Sequence, residues 1–265
     1  MKRYWVVLGT AGMVAVACGS WLTTCRPAGM CMPAPRVQGW PATFALASGL
    51  LVGAMTIGWL VRVVWILWRS AVSLRGTQRA AGPPGLWIAA TLAGVHRLEC
   101  IDDEVPLALC SGGVRPRILV SEVIVNRLSA DELVAVLAHE QHHLLRRDPL
   151  RRAMLQATVD VLFWVPVVGW WGDRRREASE LMADRAAIQR AGRPALAGAL
   201  WRVGSYLEMT GAAAFGGAAE LRVAQVLGDA LPRQTIPLSV WLGSAAGALF
   251  ALNSTWCVAH MFGTA

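Results

Sequence analysis

The stretch Leu137-Ala138-His139-Glu140-Gln141-His142-His143 carries two histidines four residues apart, with an acid directly after the first. On a helix, His139 and His143 share one face, so their imidazoles can hold a single metal ion. Two histidines, a third protein ligand and one open position form the donor set of catalytic zinc. Glu140, one step round the helix, can accept a proton from water that the metal makes acidic. The chemistry this spacing suggests is metal-assisted hydrolysis. His142 comes one residue too early to share the ion and reads as a solvated or supporting group.

A helix must carry these residues, and the flanks supply one. Ser129-Ala130-Asp131-Glu132 reads as a capping box, with Leu128 and Leu133 as the hydrophobic staple around it. Val134, Val136, Leu137 and Ala138 give apolar surface to bury. Asp148-Pro149 is expected to end the helix, because the residue before proline avoids helical angles. The helix should run from about 130 to about 147.

The third ligand is sought on a second helix, Asp173 to Arg190, which offers Glu177, Glu180 and Asp184. Glu180 and Asp184 lie on one face. Glu180 can ligate, and Asp184 can orient a ligating histidine through its free ring N–H. Glu177 follows Arg174, Arg175 and Arg176 and has Leu181, not an acid, four residues on, so it reads as a surface charge. Taken alone this helix is an ordinary solvated one; beside the histidine pair it reads as a source of ligands. Arg222 and His96 are the candidates for stabilising an oxyanion. The segment Leu107-Ala108-Leu109-Cys110 is a candidate edge strand for binding an extended peptide.

The rest of the chain positions this centre at a membrane. Of 265 residues, 55% are hydrophobic, above the level of an ordinary soluble domain. All 17 acids lie between Glu99 and Asp229. Apolar runs at Tyr4–Leu22, Thr43–Val61 and Pro237–Met261 read as three spans around a mixed-charge centre. Basic residues at both ends of the first two put the N-terminus and the segment after Trp68 on the cytoplasmic side. The division expected is a transmembrane hairpin over 1–68, a cytoplasmic metal domain over 69–236 and a last span over 237–265. Residues 153–171 read as a helix followed by an apolar Phe163-Trp164-Val165-Pro166 stretch on the membrane surface, with a true span as the alternative. Strands are expected at Leu98–Asp102, Leu107–Cys110 and Arg117–Val125, and short helices near 195–209 and 218–228. The net charge of +8 comes without zinc-finger spacing or a basic aromatic helix, so direct nucleic-acid binding is not expected. The six cysteines form no Cys-x-x-Cys pair. Cys25 and Cys31 share the expected external loop and could form a disulfide. Cys18, in Ala15-Val16-Ala17-Cys18-Gly19, sits where a bacterial lipoprotein signal would be lipidated.

Several of these segments together carry a resemblance. Arg115-Pro116-Arg117-Ile118-Leu119-Val120-Ser121, Leu128 to Leu133, Val136 to His143 and Arg146-Arg147-Asp148-Pro149-Leu150 resemble the integral-membrane metallopeptidases of the beta-lactam-sensor (antirepressor) family. The Glu180–Asp184 element is similar to that family's third-ligand helix. It is similar also to that of the prenyl-protein and heat-shock membrane peptidases, a related gluzincin group. The resemblance implies a mainly α fold with a small β-sheet: a membrane-anchored gluzincin metallopeptidase domain plus transmembrane helices. It implies one Zn2+ per chain on His139, His143 and Glu180, with Glu140 as base and Asp184 behind the ligands. It further implies a multi-pass protein of a bacterial cell membrane whose catalytic domain faces the cytoplasm. Its partners would be the lipid bilayer and a protein or peptide substrate, with a transcriptional repressor as one candidate, in regulatory proteolysis or signal transduction. The chain stops at Ala265, four residues past the last expected span, so the penicillin-binding sensor domain of the sensor proteins is expected to be missing. The rival reading is an inactive membrane signalling or scaffold protein that retains the zinc fold; the intact Glu140 speaks against it.

Overall fold

The computed structural model describes residues 40–74, 77–209, 219–230 and 234–263. The expected first span, Cys18 and the Cys25–Cys31 pair lie outside the described residues. The chain splits into two compact units. One takes the chain up to Val61, Thr158–Trp170 and the segment from Thr235; the other takes Arg62–Ala157 and Trp171–Gln234. This departs from the three consecutive blocks expected, because residues 158–170 group with the two terminal segments.

In the second unit, a four-stranded sheet comes first. Strands β1 (Gln78–Ala80), β2 (Leu98–Asp102), β3 (Ala108–Ser111) and β4 (Arg117–Ser121) lie in the order β1-β2-β4-β3. The pair β2–β4 is parallel; β1–β2 and β3–β4 are antiparallel. Strand β4 is central and buried on both faces, which is why Ile118, Leu119 and Val120 are consecutive apolar residues. Strand β3 is an edge, with Leu109 opposite Leu119. The strand expected over 117–125 stops at Ser121. Helix α3 (Glu122–Arg127) takes over there, with an acid in its first turn and a base in its last to suit the helix dipole. Helix α2 (Pro84–Ala93) and β1 are not among the expected elements. In α2, Pro84 opens the helix, and Gly94 closes it with φ 74°, a conformation glycine adopts without strain. One longer helix, α1 (Trp40–Ser73), precedes them.

Helix α4 (Ala130–Arg146) carries the histidines. Its capping box is formed: the Ser129 backbone N–H donates to Glu132 at 2.8 Å, and the Glu132 N–H donates to Ser129 Oγ at 3.4 Å. Leu133, Val134, Leu137 and Ala138 bury against α2 and the sheet in the main core. Arg147 turns the chain with φ 54°, and α5 (Asp148–Val161) begins at once. Asp148-Pro149 therefore ends one helix and starts the next, because proline fits a helix's first turn.

Helix α6 (Pro166–Ala191) brings the second acidic cluster to α4, and α7 (Arg193–Met209) and α8 (Ala219–Leu227) pack beside it. Small residues make the approach close. Ala135, Ala183 and Ala187 are fully buried. At Gly198 of α7, a Cβ would fall 2.2 Å from Glu132 Oε1. That oxygen also accepts from Arg202 Nε at 3.1 Å.

The first unit contains residues 40–61 of α1, the junction of α5 and α6, and α9 (Leu238–Gly263), which has no charged side chain. Among the described residues, one helix, Phe44–Ser73 of α1, is long and apolar enough to cross a membrane. The segment 153–171 is not one continuous helix. Helix α5 ends at Val161 and α6 starts at Pro166, so the two form a hairpin with a four-residue turn, 162–165.

Candidate metal centre

The two imidazoles of α4 are fixed from behind by acids on two other helices. His139 Nδ1 lies 2.9 Å from Asp184 Oδ1 on α6. His143 Nδ1 lies 2.7 Å from Asp148 Oδ2 at the start of α5. An ionised carboxylate only accepts, so each Nδ1 carries the proton of that bond, and each neutral ring then presents a lone pair at Nε2. Those two Nε2 atoms lie 3.1 Å apart. Two lone pairs at that separation repel unless a cation sits with them. Glu180 supplies the third donor, with Oε2 3.5 Å from His139 Nε2 and Oε1 3.7 Å from His143 Nε2. The ligating atoms of His139, His143 and Glu180 all lie within 4.8 Å of one another. The donor types and their facing lone pairs fit a divalent ion of zinc's preferences.

The electrostatics carry the same demand for positive charge. Burial pushes His139 toward the neutral form, but its bonds to Asp184 and Glu180 overcome this and raise its pKa. Burial and then repulsion from His139 drive His143 the other way. Of the two rings, His139 is therefore the one that accepts an additional proton when no cation is bound, and His143 stays neutral. Burial would raise the Glu180 carboxyl, yet the His139 hydrogen bond and charge, with Arg152 and His143 behind them, hold it well below the usual range. Asp184 and Asp148 are likewise lowered against the cost of burial by their histidines and by Arg222 and Ser179 respectively.

Each supporting acid has its own support. Asp184 is fully buried and takes two hydrogen bonds from Arg222, Nε to Oδ2 and Nη2 to Oδ1, both at 2.7 Å. Asp148 accepts from Ser179 Oγ at 2.7 Å. Arg152 touches Glu180 Oε1 and lies 3.4 Å from His143 Nε2.

Glu140 lines the same cavity, of about 420 Å³, together with the three donors. Burial raises its carboxyl pKa; the His139 charge and the Cys110 backbone N–H oppose the rise. One wall of the cavity is the edge strand and its lead-in, Val105 to Cys110. The other is apolar, with Val136 from α4 and Leu196, Ala199, Leu200 and Val203 from α7.

The structure thus brings His139, Glu140, His143, Glu180 and Asp184 together. Glu177 stands outside the group, paired with Arg174 at 2.7 Å and only 13% exposed, less of a surface charge than expected. His142 is not one of the three donors. Arg222 lines the cavity but commits two donors to Asp184. His96 is exposed and does not line it. Asp148, Ser179 and Arg152 were not legible as site residues. The signal available for Asp148 was its spacing of five from His143 across a tight turn, which the following proline made look like a mere helix stop.

The family described as BlaR1 peptidase M56 matches residues 43–196, more than half of the chain, and the protein belongs to that family. The matched region holds the histidine pair, Glu140, Glu180 and Asp184, and ends before Arg222. No curated protein and no solved structure gave a match.

Proposed function

We propose that the protein is a membrane-attached zinc endopeptidase in which His139, His143 and Glu180 hold the metal and Glu140 moves the proton. The observation that supports this best is the facing of the two Nε2 atoms, each imposed by a carboxylate on the opposite ring nitrogen. Zinc bound there supplies Lewis acidity, polarising a peptide carbonyl and making water acidic near neutral pH. Glu140 takes the proton of the attacking water on its carboxylate and delivers it to the leaving amine. Its raised pKa suits both halves of that task. The Cys110 N–H, donating to Glu140, holds the carboxylate toward the cavity.

Substrate adds along β3. In an antiparallel ladder alternate residues turn their backbone groups outward. Leu107 O accepts from Ser121 N–H, so Ala108 offers both its backbone groups at the free edge and Cys110, whose N–H goes to Glu140, its carbonyl. An extended peptide pairing there brings its scissile bond to Glu140. The apolar wall of α7 receives an apolar side chain beside that bond. The helix Phe44–Ser73 holds the protein in the bilayer, with the metal centre on the cytoplasmic side, and the wider role is regulatory proteolysis, a transcriptional repressor being one candidate substrate.

The test is metal analysis and proteolysis on purified protein in lipid nanodiscs. Zinc near one per chain, cleavage of casein or of the chain itself, loss with a chelator and recovery with zinc are the expected results. Glu140→Gln should keep the zinc and lose the cleavage. Zinc-loaded protein that cuts no better than Glu140→Gln would leave the scaffold reading in its place.

A further inference from the structure

The turn between α5 and α6 is apolar: it lies between Asp160 and Asp173, and no charged residue occurs between those two. Neutral contacts hold this turn. Trp59 Nε1 donates to Thr158 Oγ1 at 3.0 Å. The Val167 N–H, one of the first-turn donors that no helix satisfies internally, goes to Ser244 Oγ at 2.8 Å. Ser244 in turn donates to Val240 O at 2.7 Å. The Trp164 carbonyl lies so close to Gly247 that a Cβ there would fall 2.0 Å from its oxygen. Phe163 at the turn remains 53% exposed.

The depth of this turn can be read from the helices beside it. Phe44 of α1 meets Trp256 of α9, ring centroids 6.4 Å apart, whereas Trp59 and Ser244 both meet the junction, so α1 and α9 run in opposite directions. Gly247 is nine residues before Trp256 (256 − 247), level with the α1 residue nine after Phe44, which is Gly53 (44 + 9). Arg62, the first charge of α1, is another nine residues on (62 − 53). Nine helical residues rise about 14 Å, close to half of a hydrocarbon core about 30 Å thick. The turn therefore sits midway along the charge-free part of α1.

We propose that residues 158–170 form a re-entrant helical hairpin whose turn, Leu162–Val165, reaches the middle of the bilayer and presents Phe163 to acyl chains. The inference rests on α1 spanning the membrane. Lipid is the occupant that fits, because no charged residue lies from Val161 to Gly172 and the exposed side chain at the turn, Phe163, is apolar. Irregular backbone survives at that depth only where protein covers it, and Ser244 and Gly247 provide the cover.

The test is labelling with a charged, membrane-impermeant maleimide on membranes opened to both faces, read position by position by peptide mass spectrometry. Three variants are compared: Phe163→Cys, Ile57→Cys within α1, and Val114→Cys on a water-exposed loop. Phe163→Cys should label more slowly than Val114→Cys by roughly tenfold or more, since a charged reagent is excluded from hydrocarbon, and should label fully once urea and detergent remove the lipid. Adding Gly247→Leu, which puts a side chain on the Trp164 carbonyl, should expose Phe163→Cys again. If Phe163→Cys labels like Val114→Cys while Ile57→Cys stays protected, the hairpin lies in water and the proposal falls with the span intact. If Ile57→Cys labels too, the membrane reading of α1 itself has failed.

Discussion

The two units hold their key groups in place by opposite means. Around the metal centre, position is set by charge-assisted hydrogen bonds between buried side chains: Arg222 to Asp184 to His139, and Ser179 to Asp148 to His143. In the apolar unit, position is set by small residues and a few neutral bonds: Gly247 under the Trp164 carbonyl, Ser244 on the Val167 N–H, Thr158 on Trp59. A metal site needs donors aimed to within fractions of an ångström, and buried ion pairs aim them at a desolvation cost. A segment in hydrocarbon has no water to solvate a charge, so it relies on close packing and satisfied backbone.

The contrast can be broken at graded cost. Glu140→Gln should reduce proteolysis by about 10²- to 10⁴-fold without loss of zinc, because only the proton acceptor is gone. Glu180→Ala should lose the metal outright or bind it severely weakened, as one of three protein donors disappears. Glu177→Ala should keep it; metal analysis of both variants decides which carboxylate is the donor, and the reverse result would move the ligand one turn along α6.

Asp184→Ala and Asp148→Ala each should weaken zinc on the order of ten- to a hundredfold, the usual cost of removing the group behind a ligand. They should differ in stability. Asp184→Ala leaves the Arg222 guanidinium, 16% exposed, without its main counter-charge, an effect of about 3 kcal/mol. Asp148→Ala orphans the Ser179 hydroxyl and loosens only a half-exposed guanidinium, that of Arg146 at 3.9 Å. Denaturation of the two metal-free variants should rank Asp184→Ala as the less stable.

Gly198→Ala tests packing in the charged unit. Its Cβ would press on Glu132 Oε1, so the cap of α4 or the Arg202 bond must give way, at about 1–3 kcal/mol. The smallest effect belongs to the apolar unit: Ser244→Ala removes the Val167 N–H partner and should cost about 1–2 kcal/mol. Thermal unfolding in nanodiscs reads both.

Much of the centre was legible because a helix converts spacing into geometry. Ser129 and Glu132 announced the start of α4, and four-residue separations put His139 with His143 and Glu180 with Asp184 on single faces. The separation of β4 from α3 was less legible, since Ile118 to Val125 is apolar and β-branched almost throughout and periodicity does not tell a buried strand from a short helix. The role of Asp148 was hidden for another reason. It acts across a reversal at Arg147, where helical periodicity no longer relates one residue to the next.

The sequence by itself determined the local chemistry: which residues can ligate, which helix faces they share, and which stretches avoid charge. Tertiary structure decided the rest. It chose Asp148 as the second supporting acid, set Arg222 behind Asp184 rather than loose in the cavity, made β3 the edge strand, and folded 158–170 into a hairpin against α1 and α9. Each of these depends on contacts between segments far apart in the chain. Such contacts are set by which surfaces bury together and which polar groups find partners there, and no local pattern encodes them.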